Sequence, residues 1–368
     1  MAKKIPLILL FMFLFTACVQ QAAFAPTPDP VFSGAITESP APEPAVMTPS
    51  PTPVSTPPPT PVPTASPPGL PPYEAGQIMI VMYHGLAAAD NDYDCTAADF
   101  RRDLQTLYDQ GFRLLSLHDL MDNNVTTPAG FTPVVLTFDD GRPSAFSLVE
   151  TENGLVPAPD CAVAVLEDFC GQHPDFGRGA SLFVNGSPEP FKGAGTLAER
   201  FAYLLDHGYT IENHGFAHAH FAALSAAQIQ EEIGKADQLI RNNAPGYTPR
   251  AVSYPYGERP LAALRSYVLN GLWEGQAYHY DWGLREGQSG AAGVPNRVGF
   301  DPLDIPRVRG TDVTQTDLGW TLRQYQSHPE RRYISDGDPA TITVPRIYEN
   351  NVDKGSLDGK ELILTDGD

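Results

Sequence analysis

The chain has 368 residues, enough for one large domain or two ordinary ones. Its formal net charge of −20 argues against nucleic acid as a partner, because phosphate binding needs clustered Lys and Arg. A neutral glycan is compatible with such an acidic surface.

The first 25 residues read as an export signal: Lys3 and Lys4 precede an apolar run from Ile5 to Phe15 that is too short to span a membrane. Two processing readings stand. Thr16-Ala17-Cys18 resembles the end of a lipoprotein box, which would place a lipid on Cys18, although Phe15 stands where such boxes usually have Leu. The rival is ordinary cleavage after Ala23-Phe24-Ala25. Residues 26–72 are mostly Pro, Thr, Ala and Ser and hold about half of the 37 prolines. That composition cannot bury a core and predicts an extended linker. With Cys18 lipidated, Cys95, Cys161 and Cys170 remain, an odd number that leaves at least one free thiol. Cys161 and Cys170 are spaced to fall on opposite faces of a helix and are expected to be buried apolar residues rather than a bridge.

The folded domain is predicted over 73–368. Residues 77–82 form a first buried strand ending at Tyr83-His84-Gly85. A helix follows, capped by Thr96, with Phe100, Leu104, Leu107 and Tyr108 on one face and Gly111 at its end. Strands are predicted at 112–115 and 133–138, the latter delivering Asp139-Asp140-Gly141. From about 142 to 179 the chain is read as an insertion or an enlarged helical layer. A strand at 180–185 precedes a helix opened by the capping box Thr196–Glu199 and stopped by Gly208. The strand 209–213 ends at His214, and Ser225–Gln228 boxes a helix with Ile229, Ile233, Ala236 and Ile240 as its buried stripe. A strand at 251–254 feeds Pro255-Tyr256-Gly257, and a helix from Leu261 through Val268 is expected to close at Gly271. Beyond Gly310 a last helix is expected at 317–325 and strand-like alternation at 340–347 and 362–364. Alternating strands and helices imply a parallel sheet with right-handed crossovers. The pattern fits both a β/α barrel and a doubly wound sheet.

Asp139-Asp140 and His214-x-x-x-His218 both follow apolar strands. Aspartate and histidine together suit a divalent cation such as zinc, and two carboxylates are one more than a three-ligand site needs. The spare one can act as a general base on metal-bound water. Alone, Asp-Asp-Gly is often only a turn, and His-x-x-x-His is often surface decoration. Their joint placement at strand ends favours a metal site.

Thr137-Phe138-Asp139-Asp140-Gly141, the His214/His218 pair, Tyr254-Pro255-Tyr256-Gly257, Val81-Met82-Tyr83-His84-Gly85 and Ile305-Pro306-Arg307 together resemble the polysaccharide deacetylases, the NodB-like carbohydrate esterase family 4, in their Tyr-Pro-Tyr-Gly branch. The resemblance spans roughly 78–310 and implies an α/β fold, an irregular (β/α)7-type barrel. It implies Asp139 as general base, Asp140, His214 and His218 as metal ligands, and Arg307 as the cation orienting Asp139, with Arg309 as an alternative. Pro255, Tyr256 and His84 would line the sugar site, and the Tyr256 amide would help hold the oxyanion. The implied cofactor is Zn2+, with Co2+, Ni2+ or Mn2+ as other options. The implied substrate is a polysaccharide containing N-acetylglucosamine. A monomer is expected, extracellular and either lipid-anchored or secreted.

Three departures stand out. Gly215 replaces the usual Ser or Thr after the first histidine, and Ser253 stands where an Arg often precedes the Pro. The late Leu-x-x-His that supplies the family's general acid is absent, which leaves His84 and His220 as candidates. The missing acid keeps open a glycan-binding protein without turnover, and the same machinery would also attack O-acetyl esters.

Overall fold

The computed structural model describes residues 69–91, 93–286, 291–310 and 317–366. The signal reading (1–25) lies outside these residues, as does the linker reading up to residue 68. None of the described helices is long and apolar enough to cross a membrane.

In chain order the elements are β1 (Met79–Tyr83), α1 (Ala97–Asp109), β2 (Phe112–Leu114), α2 (Leu117–Met121), β3 (Thr132–Phe138), β4 (Leu148–Thr151), β5 (Gly154–Pro157), α3 (Ala162–Gln172) and β6 (Ser181–Val184). There follow α4 (Leu197–Asp206), β7 (Thr210–Asn213), α5 (Ala226–Asn243), β8 (Ala251–Ser253), α6 (Ser266–Leu269), β9 (Asn270–Trp273), β10 (Gln276–His279) and β11 (Trp282–Leu284). The last are β12 (Val308–Arg309), α7 (Leu318–Ser327), β13 (Thr341–Pro345) and β14 (Glu361–Thr365).

Seven parallel strands curl in the order β11-β8-β7-β6-β3-β1-β12, and β2 pairs with the beginning of β3. The two edges meet on one late segment. Ile305 bridges Leu284 of β11, and three residues later Val308 pairs with Val81 of β1. The result is the irregular seven-stranded β/α barrel that the resemblance implied. Both faces of the sheet are buried, so its strands read as continuous apolar runs. Ile80, Val135 and Phe183 form part of one core cluster. Their neighbours Val81, Leu136 and Val184 join Phe100, Leu104, Leu166 and Phe201 from α1, α3 and α4 in another.

Local signals hold where the partner is close in sequence. Thr96 caps α1 by accepting from Asp99 N–H. Both capping boxes, Thr196–Glu199 and Ser225–Gln228, are closed. Between β3 and β6 the chain makes the antiparallel hairpin β4–β5 and then α3, which packs on α1. Cys161 stands at the N-terminal boundary of α3 without a side-chain capping bond and Cys170 lies within the helix, and both are buried free thiols, as is Cys95.

One expectation is overturned. The helix from Leu261 to Gly271 is only a short 3-10 turn and the four-residue α6, and Gly271 continues in β9. A Cβ on Gly271 would lie 2.1 Å from the Tyr278 hydroxyl. This glycine makes room for a ring across the β9–β10 hairpin rather than stopping a helix.

At the other end of the barrel, Tyr73 and Ala75 pack with Ile342, Val344 and Val352 of the β13–β14 region. Glu74, between them, accepts from Tyr333 Oη at 3.0 Å, Asp336 N–H at 3.3 Å and Thr343 N–H at 2.9 Å.

Candidate metal and acyl-hydrolysis site

The functional side chains sit where strands end, on the face where β/α barrels place chemistry. Asp139 and Asp140 follow β3, His214 follows β7, Tyr256 follows β8, and His84 follows β1. Arg307 stands on the closing segment between Ile305 and β12. Together they line one cavity of about 270 Å3.

The turn after β3 is tight. Asp139 N–H donates to the Tyr83 carbonyl at 2.9 Å, and the chain then enters the left-handed region at Asp140 (φ 72°) and Gly141 (φ 64°). That reversal aims two successive carboxylates into the same cavity.

Asp139 is buried and bound by both arms of the Arg307 fork, Nη1 to Oδ1 at 2.8 Å and Nη2 to Oδ2 at 2.5 Å. Nη1 also reaches Thr137 Oγ1 at 3.1 Å. Burial works against the Asp139 charge, but Arg307 and His214 hold its pKa below the ordinary carboxylate value. Arg309, the alternative cation, faces elsewhere: it pairs with Glu286 and lies over the Tyr93 ring at 5.1 Å.

Asp140 Oδ1 lies 3.4 Å from both His214 Nε2 and His218 Nε2, and it is buried without a hydrogen bond. All three ligand atoms fall within 4.8 Å of one another. Tetrahedral zinc, with bonds of about 2.0–2.1 Å, sets neighbouring ligand atoms about 3.3–3.4 Å apart. The two Asp–His separations therefore already match a tetrahedral edge, and these residues fit a divalent metal. Burial raises the Asp140 pKa less than His214, His84 and Arg142 lower it, so it too is a carboxylate.

His214 is oriented from behind. His214 Nδ1 lies 3.0 Å from the Ser253 carbonyl and also contacts Ser253 Oγ, which leaves Nε2 facing the site. Ser253, which stands where an arginine often precedes the Pro, thus holds the His214 ring instead. Gly215 has φ 73°, a conformation that favours glycine over Ser or Thr, and its N–H donates to Asn213 Oδ1 at 2.8 Å. Asn185 Nδ2 donates to the His214 carbonyl at 2.7 Å. His218 is itself left-handed (φ 53°), and burial, then His214, lowers its pKa.

Tyr256 is left-handed as well (φ 58°), and the residue is 53% exposed at the cavity. It stacks flat on His220 at 3.9 Å and meets His218 edge-on at 4.4 Å. Pro255, expected to line the sugar site with Tyr256, is buried and is not among the residues lining the cavity. His84 lines the cavity with Nδ1 buried and unpartnered, its ring edge-on to Tyr93 at 5.3 Å. Burial lowers its pKa against the pull of Asp139 and Asp140. His220 instead bonds outward to Glu258 at 3.1 Å. His279 is exposed and bonded to Asn270 and Asp281, away from the cavity.

Sequence reasoning missed Asp94, Arg142 and Glu286. An arginine directly after Asp-Asp-Gly was the only available signal.

Residues 172–272 match the family model "Polysaccharide deacetylase". That stretch runs from the end of α3 into β9 and contains His214, His218, Ser253 and Tyr256, while the Asp139-Asp140 turn precedes it. Among solved structures the chain is similar to the Streptococcus pyogenes deacetylase PplD in complex with acetate, at 16% identity and TM-score 0.49, covering 67% of this chain and 97% of that one. It is similar to a polysaccharide deacetylase from Bacillus cereus at 18% identity and TM-score 0.49, covering 68% of each chain. It is similar to IcaB from Ammonifex degensii at 15% identity and TM-score 0.47, covering 68% of this chain and 99% of that one. The fold itself is defined by the strand pairing described above.

Proposed function

We propose that this protein is a metal-dependent N-deacetylase acting on a polysaccharide that contains N-acetylglucosamine, with Zn2+ as the resident ion. The observation that carries this reading is the pairing of two carboxylates with different tasks. Asp140 presents a free, buried oxygen to two imidazole nitrogens at 3.4 Å, while Asp139 is held ionised beside it by Arg307. A purely structural metal site has no use for the second carboxylate. The family match over 172–272 supports the same reaction class.

A divalent ion held by Asp140, His214 and His218 would polarise the acetyl carbonyl and acidify a water. Asp139 takes the proton from the attacking water, and Arg307 keeps its two oxygens in one plane. The Tyr256 N–H is assigned to the oxygen that becomes negative as the water adds to the acetyl carbon. The C–N bond then breaks, acetate departs, and the sugar nitrogen must receive a proton. The proton that Asp139 took from the water is the one available, and we assign its relay to the leaving nitrogen to His84, a neutral imidazole with an unpartnered nitrogen in the same cavity. The exposed Tyr256 ring stacked on His220 offers an aromatic face to a sugar ring. The N-terminal readings extend the proposal to a monomer acting outside the cell, lipid-anchored at Cys18 or released by cleavage.

Acetate release from N-acetylglucosamine oligomers tests this directly. Release is expected to vanish with chelator, return with zinc, and fall about 10^3- to 10^4-fold in Asp139→Asn. His84→Asn is expected to fall about 10^2-fold with metal binding intact. Stoichiometric metal without release from any N-acetyl or O-acetyl substrate would replace the enzyme by a glycan-binding protein.

A further inference from the structure

Only one oxygen of Asp140 faces the two imidazoles. The other, Oδ2, accepts from Arg142 Nε at 2.9 Å and lies 2.8 Å from Arg142 Nη2. The remaining nitrogen of that guanidinium, Nη1, donates to both oxygens of Asp94 at 3.0 Å. Arg142 therefore lies between two carboxylates and grips each with a different edge. Asp94 is fixed in turn by the loop between β1 and α1, because Asp94 N–H donates to Asn91 Oδ1 at 3.0 Å and Asn91 N–H donates to the Asp94 carbonyl at 2.9 Å.

We propose that Arg142, backed by Asp94, is a positioning residue that keeps Asp140 a one-oxygen ligand and sets the direction in which Oδ1 meets the metal. The proposal rests on the metal-site reading given under Proposed function. A free carboxylate can bind a metal through one oxygen or both. Binding through both would require Oδ2 to give up two charge-assisted contacts to the guanidinium, which are about twice as strong as neutral ones. The need for such a hold is local. Asp140 sits on a left-handed residue before a left-handed glycine, so no strand register fixes its side chain. A planar fork can hold a carboxylate in one plane, whereas the point charge of lysine cannot.

Charge and positioning predict opposite signs. A guanidinium acting only as a nearby positive charge would repel the cation, so removing it would tighten metal binding. A guanidinium acting as a clamp would loosen binding when lost. The test is the Zn2+ dissociation constant of the full-length protein, measured by competition with a chelating dye, together with the visible absorption of the Co2+ form. Arg142→Lys keeps the charge without the fork, and Arg142→Gln removes both. Each is expected to bind Zn2+ about 10- to 100-fold more weakly, the range for a lost ligand-orienting partner, and to alter the Co2+ band intensity as the ligand set changes. Asp94→Asn is expected to weaken binding several-fold in the same direction. Combined with Arg142→Gln it should add nothing, since both act through one guanidinium.

Unchanged or tighter Zn2+ binding by Arg142→Lys, or full additivity of the pair, would overturn the proposal. If the Arg142 variants do not fold, Asp94→Asn decides alone, and unchanged affinity there overturns it. Absence of metal binding by the unaltered protein would instead overturn the reading on which the proposal rests.

Discussion

Two buried carboxylates mark the two ends of this barrel. At the carboxyl ends of the strands, Asp139 is locked by the Arg307 fork, and its pKa lies below the ordinary value despite burial. At the opposite end, Glu74 is as thoroughly enclosed but is held by neutral donors, Tyr333 Oη and two backbone N–H groups. Burial pushes the Glu74 pKa up to about 7, with the nearby Asp336 charge adding to the rise. The same chemical group is kept as an anion at one end and spends neutral pH near half-protonation at the other. What differs is whether a cation bonds the carboxylate directly: Arg307 grips both Asp139 oxygens, whereas Lys360, the cation near Glu74, donates to the Asn123 carbonyl instead.

The comparison can be broken most directly at Arg307. Arg307→Met would leave Asp139 buried with its opposing charge gone. Burial then dominates, so the Asp139 pKa rises and the acid limb of the rate profile moves to higher pH. An activity loss of about 10^2-fold or more at neutral pH is expected, recovering in part as pH increases. A pH profile of acetate release that keeps its acid limb would show that Arg307 does not set the charge of the base.

Glu74 predicts a pH dependence of stability with its own sign. Its folded pKa of about 7 exceeds the ordinary glutamate value of 4.5, so the folded state holds the extra proton between these limits. The stability contributed by the protonated form is complete below about pH 4.5 and is lost as pH rises through 7. The full swing is about 3 kcal/mol, from 1.36 kcal/mol per pH unit. Denaturant titrations from pH 4.5 to 8 should show this decline, and Glu74→Gln should flatten it. A slope that survives in the Gln variant would assign the effect to another group. Tyr333→Phe sharpens the same point with a smaller effect. Removing one neutral donor to Glu74 is expected to reduce stability by about 1 kcal/mol at pH 7 and to move the midpoint of the decline upward.

Much of the architecture was written locally. The capping boxes at Thr196 and Ser225 need only residues three apart, and the apolar runs of β1 and β3 declare a sheet buried on both faces. The proposed ligands could be picked out because Asp140 and His214 come just after β3 and β7 and His218 lies four residues beyond His214. The rest depends on contacts that spacing cannot reveal. Gly271 looks like a helix stop until Tyr278 is seen packed against it across a hairpin. Arg307 and Arg309 alternate on one short segment, and only the barrel shows that the first takes Asp139 while the second takes Glu286. Asp94 lies 48 residues before Arg142, in a loop with no periodic signal, so its grip on the guanidinium had no trace in the sequence.

The closing segment has a consequence for how the molecule matures. Arg307 is 168 residues beyond Asp139 and reaches it only when Ile305 and Val308 bridge the two sheet edges. Asp140, His214 and His218 depend on strands that are already neighbours through β6. A folding chain can thus bring the three proposed ligands together before the proposed base is oriented. Under the proposed function, loading with metal and acquisition of turnover would be separate events in time, and a protease that nicks the connection between β11 and the closing segment would uncouple them again, leaving a species expected to bind the ion and do no work.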